Sequence, residues 1–287
     1  MRRPRIACVT CRELPEPDPD EPLLRDAVEA AGGTYELVAW DGDPYAWRDA
    51  DLVTPRSTWN YYENPARFLE WAEHADAAST LVNPLSVVRG NLHKRYLLDL
   101  ERAGVPVVPT LVVERGEALA LADVLRDRGW PDAVIKPAIG ARSWRNRRVG
   151  EATSAEGQAH LDALVAERDV LIQPYLRAVE DHGERSLIWI DGVLTHSIRK
   201  EARFSDDLEN VSDDAIAPPE GAAAIVDAAI GAIEGELLYA RVDVVPDATG
   251  RLVVMELELI EPSLFFAQDA DALARFADAL VQRASSR

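Results

Sequence analysis

Lysine occurs three times in this 287-residue chain, at Lys94, Lys136 and Lys200, against 28 arginines. An ammonium is a compact point charge on a flexible stem and a guanidinium is a planar fork, so the three lysines are candidates for positions where a fork does not serve; genetic-code bias with three accidental leftovers is the other reading. The oxygens of a polyphosphate in a narrow cleft are one such place, because a single ammonium reaches between two phosphates. A complementary set of carboxylates lies further along. Residues 238–245 (LYARVDVV) and 251–260 (RLVVMELELI) read as two strands joined by a turn-like 246–250. Pairing them with Pro246 opposite Arg251 sets Arg241 against Glu256 and Asp243 against Val254. It also puts Arg241, Asp243, Glu256 and Glu258 on one side of the sheet. The alternate positions Ala240, Val242, Val244, Val253, Met255, Leu257 and Leu259 are apolar and are expected to face the core. Clustered carboxylates repel one another and persist only beside cations or solvent. Oxygen-only donors suit magnesium, with manganese as the alternative ion, rather than zinc.

Three blocks are expected to position these groups. Residues 1–88 alternate strand (6–10), helix (22–31), strands (35–39 and 52–55) and a helix from Pro65, as in a small parallel sheet. Arg56, Ser57, Thr58, Trp59 and Asn60 follow a strand there, where α/β sheets present ligand contacts; an aromatic loop packed on its own domain is the other reading. In residues 89–172, Asn91 reads as the cap of a helix striped by Leu92, Tyr96, Leu97, Leu100 and Ala103 and stopped by Gly104 and Pro106. A strand (107–113) and a helix (117–128) lead to a buried strand, 133–137, whose Lys136 is costly unless an anion meets it. The loop IGARSWRNRR then offers Gly140, Ser143 and four arginines, Arg142, Arg145, Arg147 and Arg148. It reads equally as a phosphate lid or a solvated basic hairpin. Residues 173–287 follow a strand at 170–174 and hold strands 186–190 and 193–200, a polar loop, an alanine-rich helix (219–234) and the acidic hairpin.

Composition narrows the function. Fifty acids against 31 bases give a net charge of -19, which opposes binding to nucleic acid or anionic lipid and favours a small-molecule partner. The apolar run at 222–233 is interrupted by Asp227 and falls short of a membrane span, and the run at 6–9 is too short for a signal peptide, so a cytoplasmic address is expected. Cys8 and Cys11 form a C-x-x-C, but Cys8 lies in a strand-like run and the five histidines are scattered, which argues against redox and zinc roles. Neither G-x-x-x-x-G-K-[ST] nor G-x-G-x-x-G occurs.

With this order of parts the chain resembles the ATP-grasp superfamily ligases. The resemblance implies a mixed α/β and α+β fold, an N-terminal α/β domain followed by two α+β subdomains that sandwich ATP. The strings RSTWNY, NLHKRYLL, QPYL, GERSLIWIDG and ELELIEPSLFF are most similar to the branch containing the O-ureido-serine cyclo-ligase of D-cycloserine biosynthesis. The resemblance assigns Lys94, Lys136, Gly140 and Ser143 to the nucleotide phosphates. Gln173, Pro174, Tyr175 and Leu176 become the hinge that meets adenine, and Glu184 the carboxylate on the ribose hydroxyls. Asp243, Glu256 and Glu258 become ligands of Mg2+, Glu258 standing where many members have asparagine. Arg241 steadies an acylphosphate, and Arg199 and Lys200 reach phosphate or substrate carboxylate. Arg56, Ser57, Thr58, Trp59, Asn60, Glu261 and Ser263 supply the substrate pocket. The lid departs from the pattern in having one glycine and several arginines. The expected activity is ATP- and Mg-dependent joining of a small-molecule carboxylate, activated as an acylphosphate, to an amine-type nitrogen, including ring closure of O-ureido-serine. Alternatives are an amino-acid or peptide ligase, a kinase on the same scaffold, and a nucleotide-binding protein without turnover. A homodimer is left open.

Overall fold

The computed structural model describes residues 2–201 and 210–286, so the polar loop expected after Lys200 lies partly, at 202–209, outside the described residues. Strand β1 (Arg5–Thr10) is buried from Ile6 onward, as its apolar run demands of a strand covered on both faces. Helix α1 (Asp20–Ala30) leads to β2 (Thr34–Ala39). β3 (Leu52–Ser57), helix α2 (Pro65–Ala78) and β4 (Thr80–Leu81) complete a parallel sheet of order β2-β1-β3-β4. The β3 strand runs two residues beyond the expected 52–55, which takes Arg56 and Ser57 into the sheet.

Asn91 ends α3 (Leu85–Asn91) rather than capping α4 (Tyr96–Arg102). The correction has a clear cause. Its side-chain amide donates to the Leu257 carbonyl at 2.8 Å and accepts from the Leu259 amide at 2.9 Å, imitating a neighbouring strand along the edge of the third sheet. Strand β5 (Leu111–Val113) is shorter than the expected 107–113, because Val107 and Val108 pair first with Val254. Helix α5 (Leu121–Arg128), β6 (Asp132–Pro137), β7 (Arg147–Gly150), α6 (Ser154–Val165) and β8 (Val170–Pro174) then build an antiparallel sheet of order β5-β8-β6-β7.

The third sheet has order β10-β9-β11-β12 and is also antiparallel. After α7 (Ala178–Asp181) come β9 (Glu184–Ile190), β10 (Val193–Lys200), α8 (Ala222–Gly231), β11 (Tyr239–Pro246) and β12 (Leu252–Glu258). The hairpin register differs from the expected one: Pro246 pairs with Leu252, and a bulge after Asp243 leaves Arg241 opposite Glu258 and Asp243 opposite Glu256. One residue of shift at the turn and one at the bulge add to two, which preserves the side each residue faces. The four charged residues therefore still share a face. Met255, expected in the core, is the extra residue of the bulge and lines a cleft.

Helix α9 (Ala270–Ser285) returns to the first sheet, where Phe276, Ala277 and Leu280 share a core with Ile6, Leu24 and Val28. Asp20 secures that return. Its buried carboxylate accepts from the amides of Leu264, Phe265 and Phe266 at 2.7, 3.1 and 2.8 Å. Stranding buried donors costs about 1–3 kcal/mol each when they find no water, so Asp20→Ala is expected to lower unfolding free energy by about 3 kcal/mol or more. Urea denaturation followed by far-UV circular dichroism checks this. Cys8 and Cys11 are buried free thiols, and burial pushes Cys8 up to about 12, which suits packing rather than redox work. Among the described residues no helix is long and apolar enough to cross a membrane.

Candidate active site

The second and third sheets face each other across a cleft whose walls carry most of the charged residues singled out above. From the third sheet, adjacent strands bring Asp243 and Arg241 of β11 beside Glu256 and Glu258 of β12 and Glu184 and Lys200 of β9 and β10. The Asp243 carboxylate accepts from Arg241 Nε at 3.1 Å and from Lys200 Nζ at 3.0 Å. Lys200 also pairs with Glu184 at 2.5 Å, and Arg241 pairs with Glu258. From the opposite wall, Lys94 in the turn between α3 and α4 reaches Glu256 and donates to the Gly140 carbonyl at 3.0 Å. Lys136 projects from β6 into the same cleft, 7% exposed, and forms no ion pair among the described residues.

These contacts set the ionisation of the site. Burial alone would raise Asp243, but Arg241 and Lys200 outweigh it and hold its carboxyl below the ordinary range. Burial likewise opposes ionisation of Glu256, and Lys94 and Lys136 overcome it. For Glu184 and Glu258 burial wins and the pKa rises. Burial lowers Lys136, with Glu256 pulling in the other direction, whereas Glu256 outweighs burial at Lys94 and raises it.

At one end of the cleft Gln173, Pro174, Tyr175 and Leu176 form the wall where β8 gives way to α7. Gln173 Nε2 donates to Thr110 Oγ1 at 2.8 Å, the Tyr175 amide donates to the Asp132 carbonyl at 2.9 Å, and the Arg148 guanidinium lies 3.7 Å from the Tyr175 ring centroid. Gly140 and Ser143 line the cleft on the side of Lys94. Of the four arginines after Gly140, Arg142 alone is on the cleft wall, where it holds Glu16 in a two-pronged contact at 2.9 and 3.2 Å. Arg145, Arg147 and Arg148 pair outside the cleft with Glu167, Glu156 and Asp132 plus Glu180. Of the two readings of this loop, three arginines fit the basic hairpin, and Arg142 alone meets the cleft, joined by Trp144 packed on Tyr62 at 4.8 Å.

Several expected pocket residues stand elsewhere. Arg56 is buried behind the wall, donating to the Pro262 carbonyl at 2.8 Å between the rings of Tyr239 and Phe276. Ser57 donates to Thr10 at 3.0 Å, Thr58 is fully buried, and Asn60 bridges Trp40 and Asp41. Trp59, Glu261 and Ser263 do line the cleft. Arg199 also points away, with Nε on the His182 carbonyl at 3.1 Å, because neighbours on a strand face opposite sides and Lys200 takes the inner one. Tyr61, Tyr96, Glu16 and Trp144 are wall residues that sequence reasoning missed. Tyr61 was signalled by its place two residues after Trp59; Glu16, in an acidic proline-rich loop, carried no signal.

Among the described residues no three acidic, histidine or cysteine side chains already stand at the spacing of a metal's ligands. The donor chemistry nonetheless fits a hard divalent cation: Asp243, Glu256 and Glu258 offer only oxygens, from one face of one hairpin. Their present partners are flexible Lys and Arg heads that can exchange for a metal and phosphate.

The family model described as D-cycloserine synthetase DcsG, N-terminal domain, matches residues 6–83. The chain is 36% identical over 284 residues to the cycloserine biosynthesis protein DcsG of Streptomyces lavendulae, covering 93% of this chain and 94% of that protein. It superposes on the crystal structure of D-cycloserine synthetase DcsG with a TM-score of 0.89 at 35% identity, over 98% of this chain and 99% of the other. An ATP-grasp RimK domain protein from Sphaerobacter thermophilus shares the fold, with a TM-score of 0.71 at 20% identity over 96% and 99%. The chain therefore belongs to the DcsG family of ATP-grasp ligases, enzymes that use ATP and a divalent metal to join a carboxylate to a nitrogen.

Proposed function

We propose that this ligase closes a ring within an O-ureido-serine-type substrate, forming cycloserine. The observation that carries the reading is the meeting of Lys94 and Lys136 with the Asp243, Glu256 and Glu258 face across one cleft. In this reading residues 1–88 form the substrate-side domain, residues 89–172 and 173–287 the two halves that hold ATP. Lys94, Lys136, Gly140 and Ser143 bind the phosphates, Gln173, Pro174, Tyr175 and Leu176 meet adenine, and Glu184 takes the ribose hydroxyls. Asp243, Glu256 and Glu258 hold Mg2+, which supplies Lewis-acid charge neutralisation on the phosphates when bound.

The substrate carboxylate attacks the γ-phosphorus and ADP leaves; the oxygen-bound nitrogen of the ureido group then adds to the acylphosphate carbonyl and loses its proton as phosphate departs, and water removes the carbamoyl group still on that nitrogen as carbon dioxide and ammonia, leaving cycloserine. Arg241, held by Asp243 and Glu258, offers a fixed guanidinium to the charge that develops on the acyl oxygens. Lys200 adds a second cation. Trp59, Tyr61 and Ser263 shape the substrate end, and the Arg142–Glu16 contact helps to exclude water from a reactive acylphosphate. The likeness to a cycloserine biosynthesis protein supports an intramolecular nitrogen.

ADP release with O-ureido-serine, measured with and without hydroxylamine, tests the proposal. Substrate-dependent ADP, cycloserine as product, and a hydroxamate on trapping are expected. A stable phosphorylated product that hydroxylamine leaves untouched sinks the ligase chemistry in favour of a kinase, and ADP release with amino acids or dipeptides but not O-ureido-serine overturns the ring closure alone.

A further inference from the structure

Among the described residues that line the cleft, two buried ionisable side chains form no ion pair: Lys136 and Glu261. Every other acid on the wall meets a base, namely Glu16 with Arg142, Glu184 with Lys200, Glu201 with Arg199, Glu256 with Lys94 and Glu258 with Arg241. The nucleotide phosphates answer the charge of Lys136. Nothing described so far answers Glu261.

Glu261 is 6% exposed, and its backbone is fixed at two points. The Trp59 indole donates to its carbonyl at 3.1 Å, and Arg56 donates to the carbonyl of the next residue, Pro262. Two residues sequence reasoning gave to substrate thus set the place of a third. Burial pushes the Glu261 carboxyl up to about 8, with the charge of Glu258 adding to it and Lys94 and the Tyr61 hydroxyl working against it. A buried carboxylate without a countercharge is costly, and a ligand cation removes the cost. A divalent ion needs several oxygen donors. A primary ammonium needs one carboxylate, and the neighbouring Trp59 and Tyr61 supply aromatic surface of the kind that attracts cations.

We propose that Glu261 is the subsite for the α-ammonium group of an amino-acid substrate whose carboxylate is activated in the adjoining part of the cleft. The inference rests on the ligase reading above but not on ring closure, because an α-amino acid donor in an intermolecular ligation carries the same ammonium. Cycloserine itself retains that amine, so the group is held and does not react. Glu261 contributes recognition, and Arg56 and Trp59 are positioning residues that act through it.

The test compares O-ureido-serine with 3-(ureidooxy)propanoate, which has hydrogen in place of the amine, titrated calorimetrically into wild type and Glu261→Gln with a non-hydrolysable ATP analogue and Mg2+. Wild type is expected to prefer the amine by about 10- to 100-fold, the range of one charge-assisted contact. Glu261→Gln is expected to bind the two within about threefold, to raise KM for the amino acid by the same factor and to leave KM for ATP unchanged. Thermal melting is expected to show a variant as stable as wild type, since glutamine keeps an oxygen for the Tyr61 hydroxyl and no ion pair is broken. A wild-type enzyme indifferent to the amine, or a variant that keeps the full preference, overturns the assignment of Glu261 while leaving the ligase reading intact. Failure of either compound to bind, together with no ADP release from any amino acid, overturns the parent reading and this subsite with it.

Discussion

Glu256→Gln is expected to lower ATP-dependent turnover by on the order of 10^3-fold, because it withdraws a carboxylate proposed to hold the metal and the counterion of Lys94 at once. The amide matches the carboxylate in shape, so the loss reads out charge rather than packing. The variant has a second signature. Lys94 and Glu256 are 12% and 26% exposed, and breaking a largely buried pair from one side strands the other charge, a cost of about 3 kcal/mol. Turnover measured as ADP release should therefore collapse together with a lowered urea midpoint, and excess Mg2+ should restore neither. A variant with near-normal ADP release would remove Glu256 from the metal and with it the proposed arrangement of the site. A nucleotide-binding protein without turnover would retain its cellular role after the same substitution.

Lys136→Ala should separate those two signatures. Lys136 is buried in β6 without an ion pair, and burial lowers its pKa, so its charge is a liability to the fold in the absence of an anion. Its removal breaks no direct ion pair, and Glu256, which loses part of its countercharge, keeps Lys94. Stability is expected to be unchanged or higher by about 1 kcal/mol, while kcat/KM for ATP falls by about 10^2- to 10^3-fold with the loss of a phosphate contact. Lys136→Arg is expected to recover less than tenfold of that loss, since the planar fork cannot take the place of a point charge on a crowded strand. Parallel thermal melts and ATP saturation curves check both variants. Full rescue by arginine would mean that the scarcity of lysine carries no information about phosphate geometry.

Much of this site was legible because its elements obey period-two alternation. The four charges of the acidic hairpin share a face in the sequence pattern and in the fold, and the two-residue change of register left that parity intact. Lys94, Lys136, Gly140 and residues 173–176 all reach the cleft as expected. Legibility ended where direction depended on a tertiary partner. Arg56 looks like an exposed ligand contact after a strand, yet β3 continues through it and aromatic rings from β11 and α9 enclose it. Arg199 and Lys200 look alike as a pair, but one strand sends them to opposite sides. Asn91 fits a helix cap by type, and only the approach of β12 reveals its use as a substitute strand. The lid arginines were ambiguous for a similar reason: each is satisfied by an acid distant in sequence or on a neighbouring turn, which no local pattern specifies.

The pairing of α9 with α1 and β1 reaches into how the molecule is made. Ile6 and Leu280 belong to one apolar cluster although almost the whole polypeptide separates them. As the nascent chain leaves the ribosome, the first sheet emerges early and must wait, one face uncovered, until the last helix arrives. Contacts that distant close slowly, so the apolar face of the early sheet stays exposed until they form. Maturation of the whole enzyme is thereby tied to its final sixteen-residue helix.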